Sequence, residues 1–558
     1  MNTRSDALAA LAGERFDVVV IGGGITGAGV ALDAASRGYS VALLERADFA
    51  SGTSSRSSKL VHGGLRYLRQ FELGLVREAL VERALLVALA PHLVRPLPIL
   101  VPAFDGTRPD RLVGVGLNLY DVMSRGGRRG RRGSSPEDGE ESWSPARHRV
   151  VDGGEVVELL PALAAREPTA GYLFFDCQTD DARLVLTVLG EAERFGAICA
   201  NGVEVKELRI ERGRATGVLA RETVSGESFI VGAGHVVNAT GVWADRLRGE
   251  ELHDETELPQ IRPSRGTHIT LASSALPLNA GAIVPAGGGR TIFALPWLGS
   301  TLIGTTDDDY DGPLEHIAPP AADVDYLLAA VNDFFATSLG HADVTGAFAG
   351  VRPLISTGDA KTSVDISRKA ELYETSSGMI TITGGKLTTF RRMAKMTVDR
   401  IVERDALDAP CRTHEIPLGA PVDPAELARV AGVAPAAYPA LAARYGHAAE
   451  EVLRLAAVDQ RLAGPLVAGF PDLLAEGAYA LRREQARGLG DVLLRRTRLG
   501  LLAARELSDT ALLGSIADAL GGELDWDAGR RALEVQRFRE EASAEGILVA
   551  AEPAIRAA

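Results

Sequence analysis

The chain has 558 residues, of which 46% are hydrophobic and 24% charged, so it is a folded globular protein and too long for a single hydrophobic core. Its net charge of −14 argues against a general nucleic-acid binder, because affinity for phosphate backbones comes from Lys and Arg. Cys177, Cys199 and Cys411 have the spacing of neither a disulfide framework nor a metal site, which favours a reducing cytosolic setting.

The N-terminal segment and the most apolar later segment do not have the composition of a secreted or membrane-crossing chain. Asp6, Glu14 and Arg15 interrupt the residues before the first predicted strand, so no signal-peptide core forms. Residues 81–104 contain charged side chains and four prolines, which argues against a transmembrane helix. We therefore expect no secretion, while peripheral contact with a membrane surface stays open.

Strand and helix signals alternate at the start of the chain. FDVVVI at 16–21 and VALLE at 41–45 are short apolar runs that predict strands, and the Ala-rich run at 28–38 predicts a helix between them. The order is that of a strand, a glycine turn, a helix and a parallel strand.

The turn after the first predicted strand carries Gly22, Gly24 and Gly27 in the pattern G-x-G-x-x-G. The first glycine permits a tight turn, the second lets the backbone approach a pyrophosphate, and the third allows close packing of helix on strand. Glu45 ends the second strand, where a carboxylate accepts hydrogen bonds from an adenosine ribose. These residues predict a bound dinucleotide, and a glycine turn without a ligand is the alternative. They do not separate FAD from NAD, because both contain ADP.

Residues 51–68, SGTSSRSSKLVHGGLRYL, are rich in small hydroxyl residues, glycines and basic groups. Such a loop offers backbone amides and hydroxyls to a pyrophosphate, and a serine-rich surface turn is the alternative. His62, Gly63, Gly64 and Arg66 favour the ligand-binding interpretation, because a generic turn does not need them.

The rest of the chain divides by composition. Residues 126–144 combine Gly, Arg, Ser and acids without apolar periodicity, which is typical of a surface loop. Helix and strand signals resume after residue 180, and strand-like runs at 265–271 and 291–306 predict a mostly β substrate domain. Helical segments are predicted after residue 400 at 424–432, 450–458 and 490–507.

Several of these motifs together resemble the FAD-dependent glycerol-3-phosphate dehydrogenases, which lie within the glycine oxidase and D-amino acid oxidase superfamily. The matching segments are IGGGITGAGVALDAASRG, TSSRSSKLVHGGLRYL, YLFFDCQTDDARL, VVNATGVWAD, IGTTD, GVRPL, SR at 367–368, TGGKLTTFR, and DVLLRRTRLGL at 491–501. The resemblance implies an α/β fold: a Rossmann-type FAD-binding domain, an interposed mostly β substrate domain and an α-helical C-terminal domain. The expected boundaries are 1–104, 180–262 and 345–400 for the FAD-binding domain, 105–179 and 263–344 for the substrate domain, and 401–558 for the helical domain.

The resemblance also implies roles in oxidising sn-glycerol 3-phosphate to dihydroxyacetone phosphate. His62 is the candidate base because an imidazole titrates near neutral pH, and the alternative is a histidine that only packs or binds the flavin. Arg352 in GVRPL is the candidate for stabilising developing alkoxide or reduced-flavin charge, although an Arg-Pro dipeptide alone is more often a structural loop end. A substrate phosphate needs charge-assisted hydrogen bonds, and a surface ion pair is the alternative for each candidate cation. The expected phosphate ligands are Arg66, Tyr67, Arg368 and Lys386.

By the same resemblance, FAD is expected to bind without a covalent link. The expected FAD contacts are Gly22, Gly24, Ile25, Thr26, Gly27, Glu45, Thr53, Ser54, Ser57, Ser58, Lys59, His62, Gly63, Val205, Thr240, Gly241, Gly385 and Thr388.

Reduced flavin must pass its electrons on, and the family uses a membrane quinone or, in some members, oxygen with release of peroxide. We expect a membrane quinone, a peripheral position on the cytoplasmic membrane surface and a homodimer. The basic segment at 494–507 has two interpretations, membrane docking and a helix packed on its neighbour, of which the second is favoured. The rival functions are a sister flavoenzyme for an amine or another hydroxy acid, and a flavin-binding sensor or scaffold.

Overall fold

A computed structural model describes residues 3–68, 72–105, 111–125, 146–248, 260–356 and 369–547. The helices are α1 (Arg4–Gly13), α2 (Ile25–Ser36), α3 (Leu73–Leu89), α4 (Arg111–Arg125), α5 (Gly153–Leu159), α6 (Asp181–Arg194), α7 (Ala244–Arg248), α8 (Ala321–Phe335), α9 (Phe390–Arg404), α10 (Ala437–Tyr445), α11 (Ala449–Val458), α12 (Leu474–Arg483), α13 (Leu499–Leu502), α14 (Thr510–Leu520) and α15 (Ala528–Ala544). The strands are β1 (Arg15–Ile21), β2 (Val41–Glu45), β3 (Leu60–Val61), β4 (Arg95–Ala103), β5 (Arg149–Asp152), β6 (Ala170–Gln178), β7 (Ile198–Asn201), β8 (Val203–Glu211), β9 (Arg214–Glu222), β10 (Ser228–Asn238), β11 (Gln260–Ala272), β12 (Gly281–Ala286), β13 (Arg290–Trp297), β14 (Ser300–Gly304), β15 (Asp308–Asp309), β16 (Val344–Ser356), β17 (Ala370–Glu374) and β18 (Ile380–Gly384).

The first sheet includes the two predicted strands, β1 and β2, and the predicted glycine turn and helix α2 connect them. Its order is β17-β18-β10-β1-β2-β7, and β9 pairs with both β10 and β8. β1 runs parallel to β2 and β10, and β2 runs parallel to β7. Val18 and Val20 of β1 are fully buried in a core with α2, α6 and α9, and Val19 is fully buried on the other face, as expected for a parallel strand covered on both faces. The Rossmann-type prediction is confirmed.

The second sheet is mostly antiparallel and has the order β15-β11-β14-β13-β12-β4-β6-β3, with β16 paired to β11 and β5 paired to β6. α8 covers one face of it. Its membership differs from the expected boundaries, which grouped β3, β4 and β16 with the FAD-binding segments. β4 pairs along its whole length with β6, and β16 with β11, so these strands complete the substrate-side sheet. The exact division into domains stays a prediction.

The C-terminal part is helical from α10 to α15, and its apolar side chains share one core with residues of the second sheet such as Ile99, Phe174 and Trp297. Two of its predicted helices differ. Residues 424–432 form turns, one of them fixed by the Asp423 carboxylate, which accepts a 2.8 Å hydrogen bond from the Ala425 amide. Residues 490–507 are broken into a π-helical turn (Asp491–Arg496), α13 and a final 3-10 turn. Their side chains are largely buried, which supports the packed interpretation over membrane docking.

Two further expectations concern surfaces. The predicted loop at 126–144 lies outside the described residues. Within the described ranges, no helix is both long and apolar enough to cross a bilayer.

Candidate active site

A cavity of about 760 Å³ lies at the carboxyl ends of the parallel strands of the first sheet. Ile21 at the end of β1, Glu45 at the end of β2 and Gly384 at the end of β18 line it. The second sheet contributes His268 from β11 and Arg352 from β16. Ligands of open α/β sheets bind in this position, so the cavity is the candidate site.

The glycine turn leaves no space for a side chain at two positions. Gly22 has a φ of +112°, and a Cβ on it would lie 2.7 Å from the carbonyl oxygen of Ala239. A Cβ on Gly27 would lie 1.9 Å from the carbonyl oxygen of Gly22. α2 begins at Ile25 without a side-chain cap, and both Ile25 and Gly24 line the cavity. The positive end of a helix therefore faces the site, as a pyrophosphate requires.

Glu45 is held in the cavity wall by backbone amides. Its carboxylate accepts hydrogen bonds from the amides of Gly23 at 2.7 Å and Ala47 at 2.8 Å. Burial raises the pKa of Glu45 above that of an ordinary glutamate, although the two amides act against the shift. The carboxylate oxygens keep acceptor capacity for ribose hydroxyls. The ribose contact stays a prediction.

The hydroxyl-rich loop after β2 forms another wall of the cavity. The predicted contacts in this wall are Thr53, Ser54, Ser57 and Ser58. The Ser54 hydroxyl accepts a 2.9 Å hydrogen bond from the Ile25 amide, so the loop is fastened to the start of α2. The Thr53 hydroxyl donates to the Val351 carbonyl at 2.6 Å, which ties the same loop to β16.

Three predicted FAD contacts do not line the cavity. Lys59 is fully buried beside it, where its Nζ donates to Asp181 Oδ2 at 2.7 Å and to the Ser55 carbonyl at 2.6 Å. A buried ammonium needs a counter-ion, and Asp181 supplies it. Gly63 is also buried, and its amide donates to the Tyr120 hydroxyl at 2.8 Å. Gly27 has the close-packing role expected for the third glycine.

The remaining predicted flavin contacts line the same cavity. They are Thr26, His62, Val205, Thr240, Gly241, Gly385 and Thr388. Thr388 joins two chain segments, because its hydroxyl accepts from the His62 amide at 3.1 Å and donates to the His62 carbonyl at 3.3 Å. The histidine is therefore positioned by the turn that follows β18.

The predicted phosphate ligands are only partly described. Lys386 and Tyr67 line the cavity together, with the Lys386 Nζ 3.8 Å from the centroid of the Tyr67 ring. Arg66 lies in the same short turn as Tyr67, Leu65–Leu68, and its side chain is outside the described part of the structure. Arg368 also lies outside the described residues.

Arg352 is fixed by a set of acceptors on the second sheet. Its Nη1 donates to Asp307 at 3.2 Å, and its Nη2 donates to the Thr305 hydroxyl at 3.0 Å and the Thr306 carbonyl at 3.2 Å. Space for the guanidinium comes from Gly266, where a Cβ would lie 2.4 Å from Nη2. Because these contacts determine its orientation, Arg352 can present a fixed positive charge to the cavity.

The sequence analysis missed His268, which lines the cavity from the middle of β11. Its ring stacks on Phe348 with centroids 4.8 Å apart, and its Nε2 is 2.8 Å from the Ser58 hydroxyl. A Cβ on Gly304 would lie 2.2 Å from the ring, so this position must be glycine.

The environment of His268 keeps its imidazole neutral. Burial first, and then the charges of Lys59 and Arg352, lower the pKa of His268 well below the ordinary value. A neutral imidazole can accept a proton, but the lowered pKa makes His268 a weaker base than an ordinary histidine. One sequence signal for His268 was available, the IGTTD segment, because its Gly304 lies beside the His268 ring. A histidine inside a predicted strand, however, does not by itself indicate a site residue.

The C-terminal domain also reaches the cavity, which the sequence analysis did not predict. Glu541 of α15 and Glu545 line it. Arg56 lies 2.5 Å from the Glu545 carboxylate, and His316 lies 3.5 Å from the same group. All three parts of the chain therefore contribute to one site.

Known proteins share these features. Residues 17–400 match the FAD dependent oxidoreductases, and residues 411–531 match the C-terminal domain of alpha-glycerophosphate oxidase. Glycerol-3-phosphate dehydrogenase 2 of Mycobacterium tuberculosis is 38% identical over 563 residues, covering 99% of this chain and 92% of the relative. The chain belongs to the FAD-dependent glycerol-3-phosphate dehydrogenase family.

Two other members of the family agree with this assignment. The aerobic glycerol-3-phosphate dehydrogenase of Bacillus subtilis is 37% identical over 502 residues, covering 86% of this chain and 87% of the relative. The crystal structure of the Bacillus halodurans glycerol-3-phosphate dehydrogenase complexed with FAD superposes with a TM-score of 0.75 at 28% identity, covering 100% of this chain and 99% of that one. The predicted family and fold class are confirmed.

The residues of the cavity fit FAD, the cofactor of the family. The glycine turn gives a pyrophosphate close access to backbone amides, and the volume is in the range of cofactor pockets. Gly385, which lines the cavity, has a φ of +66°, and a Cβ on it would lie 2.4 Å from the sulfur of the buried Met393, so this turn in the cavity wall also requires glycine. The absence of a covalent link to the flavin stays a prediction.

Proposed function

We propose that the protein oxidises sn-glycerol 3-phosphate to dihydroxyacetone phosphate. The observation that carries the proposal is a single cavity that combines a dinucleotide-type glycine turn with the cations of Arg352 and Lys386 and the imidazoles of His62 and His268. FAD, bound without a covalent link, supplies the acceptor for the hydride of the substrate's carbinol carbon. The names of the relatives support the choice of substrate.

Lys386 and Tyr67 are the proposed centre of the phosphate subsite. The Lys386 ammonium lies over the buried Tyr67 ring, an arrangement that holds the cation in place by cation–π attraction. A phosphate dianion leaving water needs several charge-assisted hydrogen bonds. Arg66, in the same turn as Tyr67, and Arg368 are proposed as further phosphate ligands from the sequence alone.

Arg352 is proposed to orient the substrate hydroxyl and to stabilise charge that develops on its oxygen. The Ser264 hydroxyl and the Asp307 carboxylate accept hydrogen bonds from the guanidinium, so it does not need to reorganise during the reaction. It cannot take the hydroxyl proton, because a guanidinium stays protonated in proteins.

His62 is proposed to take the hydroxyl proton. It lines the cavity, and the Thr388 hydroxyl accepts from its backbone amide and donates to its backbone carbonyl. His268 is the second candidate, because its ring lines the cavity and its Nδ1 has no hydrogen-bond partner among the described residues, but its lowered pKa makes it the weaker base. The alternative role for either imidazole is to position the flavin, so flavin reduction must be compared between variants of His62 and of His268.

The proposed electron acceptor is a membrane quinone, reached from the cytoplasmic membrane surface. Val115, Leu119 and Val122 are spaced along one side of α4 with exposed fractions of 67%, 39% and 67%. On the buried side of α4, the Tyr120 hydroxyl accepts from the Gly63 amide, next to His62. An exposed apolar stripe is typical of membrane or partner contact. The opposite side of the same helix contacts Gly63, next to the cavity residue His62.

Oxygen is the alternative electron acceptor. The observation that keeps oxygen as an alternative is the match of residues 411–531 to the C-terminal domain of alpha-glycerophosphate oxidase. The homodimer stays a prediction that light scattering of the purified protein would test.

The test is anaerobic addition of sn-glycerol 3-phosphate to the purified holoprotein, with glycerol as the control that lacks the phosphate. Bleaching of the flavin by the phosphate ester alone is expected. An unchanged spectrum contradicts the proposal and favours the sensor or scaffold, while bleaching by an amine or another hydroxy acid favours a sister flavoenzyme. Reoxidation of the reduced protein by quinone in vesicles, compared with air, identifies the acceptor.

A further inference from the structure

The cofactor loop, defined as residues 46–59 after β2, forms hydrogen bonds and ion pairs with residues that lie outside the cavity. Thr53, Ser54, Ser57 and Ser58 face the cavity, while the other side of the loop faces the C-terminal segment at 491–498. The contacts between the two are buried and charged. They concentrate at the two ends of the loop.

The first end of the cofactor loop is held through Asp48. Its carboxylate accepts hydrogen bonds from Arg495 Nε at 2.5 Å and from the Arg496 Nη1 and Nη2 at 2.7 and 2.8 Å. Burial opposes ionisation of Asp48, but the charges of Arg496 and Arg495 hold its pKa well below the ordinary value. The loop therefore begins at a fully charged, buried ion cluster.

The second end is held through Arg498. Its Nη2 donates to the Ser55 carbonyl at 2.8 Å and lies 3.3 Å from Asp181 Oδ1. The other oxygen of Asp181 accepts from the Ser57 hydroxyl at 2.7 Å and from Lys59. Two hydrogen-bonding steps thus connect Arg498 to the cavity wall.

These arginines do not contact the cofactor cavity themselves. Arg495, Arg496 and Arg498 are 5%, 0% and 3% exposed, and none of the three lines the cavity. Each of the three donates charge-assisted hydrogen bonds to a buried carboxylate, Asp48 or Asp181, and their loss must be relieved by protonation of that carboxylate or by movement of the loop. The conformation of the loop therefore depends on the C-terminal domain.

We propose that Arg495, Arg496 and Arg498 are positioning residues for the cofactor, so that the C-terminal domain is part of the FAD-binding apparatus. They act through Asp48, Ser55 and Asp181 on the hydroxyls that face the pyrophosphate. The proposal rests on FAD binding in this cavity, and it does not depend on which substrate the protein oxidises.

Linkage gives a test on the unmodified chain. If the contacts of the arginines raise the affinity for FAD, bound FAD must by the same free energy stabilise residues 491–498 against local opening. Hydrogen exchange of the full-length protein with and without FAD should therefore show slower exchange at 491–498 as well as in the cofactor loop. α11, in the same domain, serves as the internal control. Protection confined to the glycine turn and the cofactor loop, with none at 491–498, overturns the proposal.

Substitution gives the second test, read as FAD release from the holoprotein on dilution and followed by flavin fluorescence without substrate. Arg498→Ala should raise the Kd for FAD by about tenfold or more, which is about 1.4 kcal/mol. Arg498→Lys, which keeps the charge, should recover part of the affinity. Arg483→Ala, which breaks only the exposed pair with Glu451, should leave the Kd unchanged.

A folded Arg498→Ala protein with the same FAD Kd as Arg483→Ala overturns the proposal. If Arg498→Ala does not fold, the hydrogen-exchange comparison decides, because it uses the unmodified chain. Failure of glycerol 3-phosphate to bleach the flavin would refute the proposed function and leave these FAD measurements unaffected.

Discussion

Replacing Arg352 with lysine tests the proposed stabilisation of charge on the substrate oxygen. Arg352 uses two terminal nitrogens to satisfy acceptors on Ser264, Thr305 and Asp307, at 3.4, 3.0 and 3.2 Å. A lysine keeps the charge next to Asp307, but its single ammonium cannot hold these acceptors and also face the cavity. Losing one charge-assisted hydrogen bond costs about 1.5–3 kcal/mol, which predicts roughly 10- to 150-fold slower flavin reduction.

The assay is anaerobic stopped-flow reduction of the bound flavin at saturating glycerol 3-phosphate. Arg265→Lys is the matched control, because Arg265 lies on β11 next to the site, pairs with Asp323 and does not line the cavity. We expect Arg352→Lys to retain FAD and to slow the reduction step, while Arg265→Lys stays near the wild-type rate. If Arg352→Lys reduces its flavin within about threefold of the wild type, less than the smallest loss expected for one such bond, the assigned role is wrong.

Three other substitutions test separate parts of the account. Gly27→Ala should abolish FAD retention, because its Cβ would lie 1.9 Å from a backbone oxygen, and a variant purified with full flavin content would contradict the tight turn. His62→Gln should slow flavin reduction by about 10²- to 10⁴-fold and His268→Gln by much less, and the reverse order in rapid-reaction kinetics would assign the base to His268. Glu222→Gln tests acid stability: burial raises the pKa of Glu222, but hydrogen bonds from Ser225, Val224 and Arg4 together outweigh burial and lower the pKa to about 2 from the ordinary 4.5. Because the folded-state pKa is depressed, the stabilisation is present above pH 4.5 and lost as the pH falls toward 2. The variant should therefore melt below the wild type at neutral pH and approach it near pH 2, and a constant difference in melting temperature would refute this.

The glycine turn could be predicted from the sequence because its requirements are local. Gly22 needs a positive φ, and Gly27 needs contact with a backbone oxygen only five residues earlier. The β-branched run of β1 likewise indicates a strand buried on both faces. Such features depend on a few neighbouring residues, so the pattern is readable without the rest of the fold.

Lys59 and His268 could not be placed in the same way. Lys59 lies in a basic, hydroxyl-rich loop that resembles a phosphate site, and the sequence does not reveal that Asp181, far along the chain, neutralises it instead. His268 lies on β11, which pairs with β16, and its neutral state depends first on burial and then on charges from two other segments. These properties arise from tertiary contacts.

The C-terminal helices show the limit of composition. Residues 424–432 contain good helix formers, but Asp423 fixes a turn at their start. The segment at 491–502 has a helical composition as well, and the buried ion cluster around Arg496 accompanies its division into a π-helical turn and α13. Local propensity is a weak guide where buried charges must find partners.

The central claim is that one cavity joins FAD to a phosphorylated secondary alcohol. The most direct measurement is the yield of dihydroxyacetone phosphate when the anaerobic holoprotein receives sn-glycerol 3-phosphate. We expect the flavin to bleach and one molecule of dihydroxyacetone phosphate to appear for each flavin reduced. An unchanged flavin spectrum, or bleaching without this product, would contradict it.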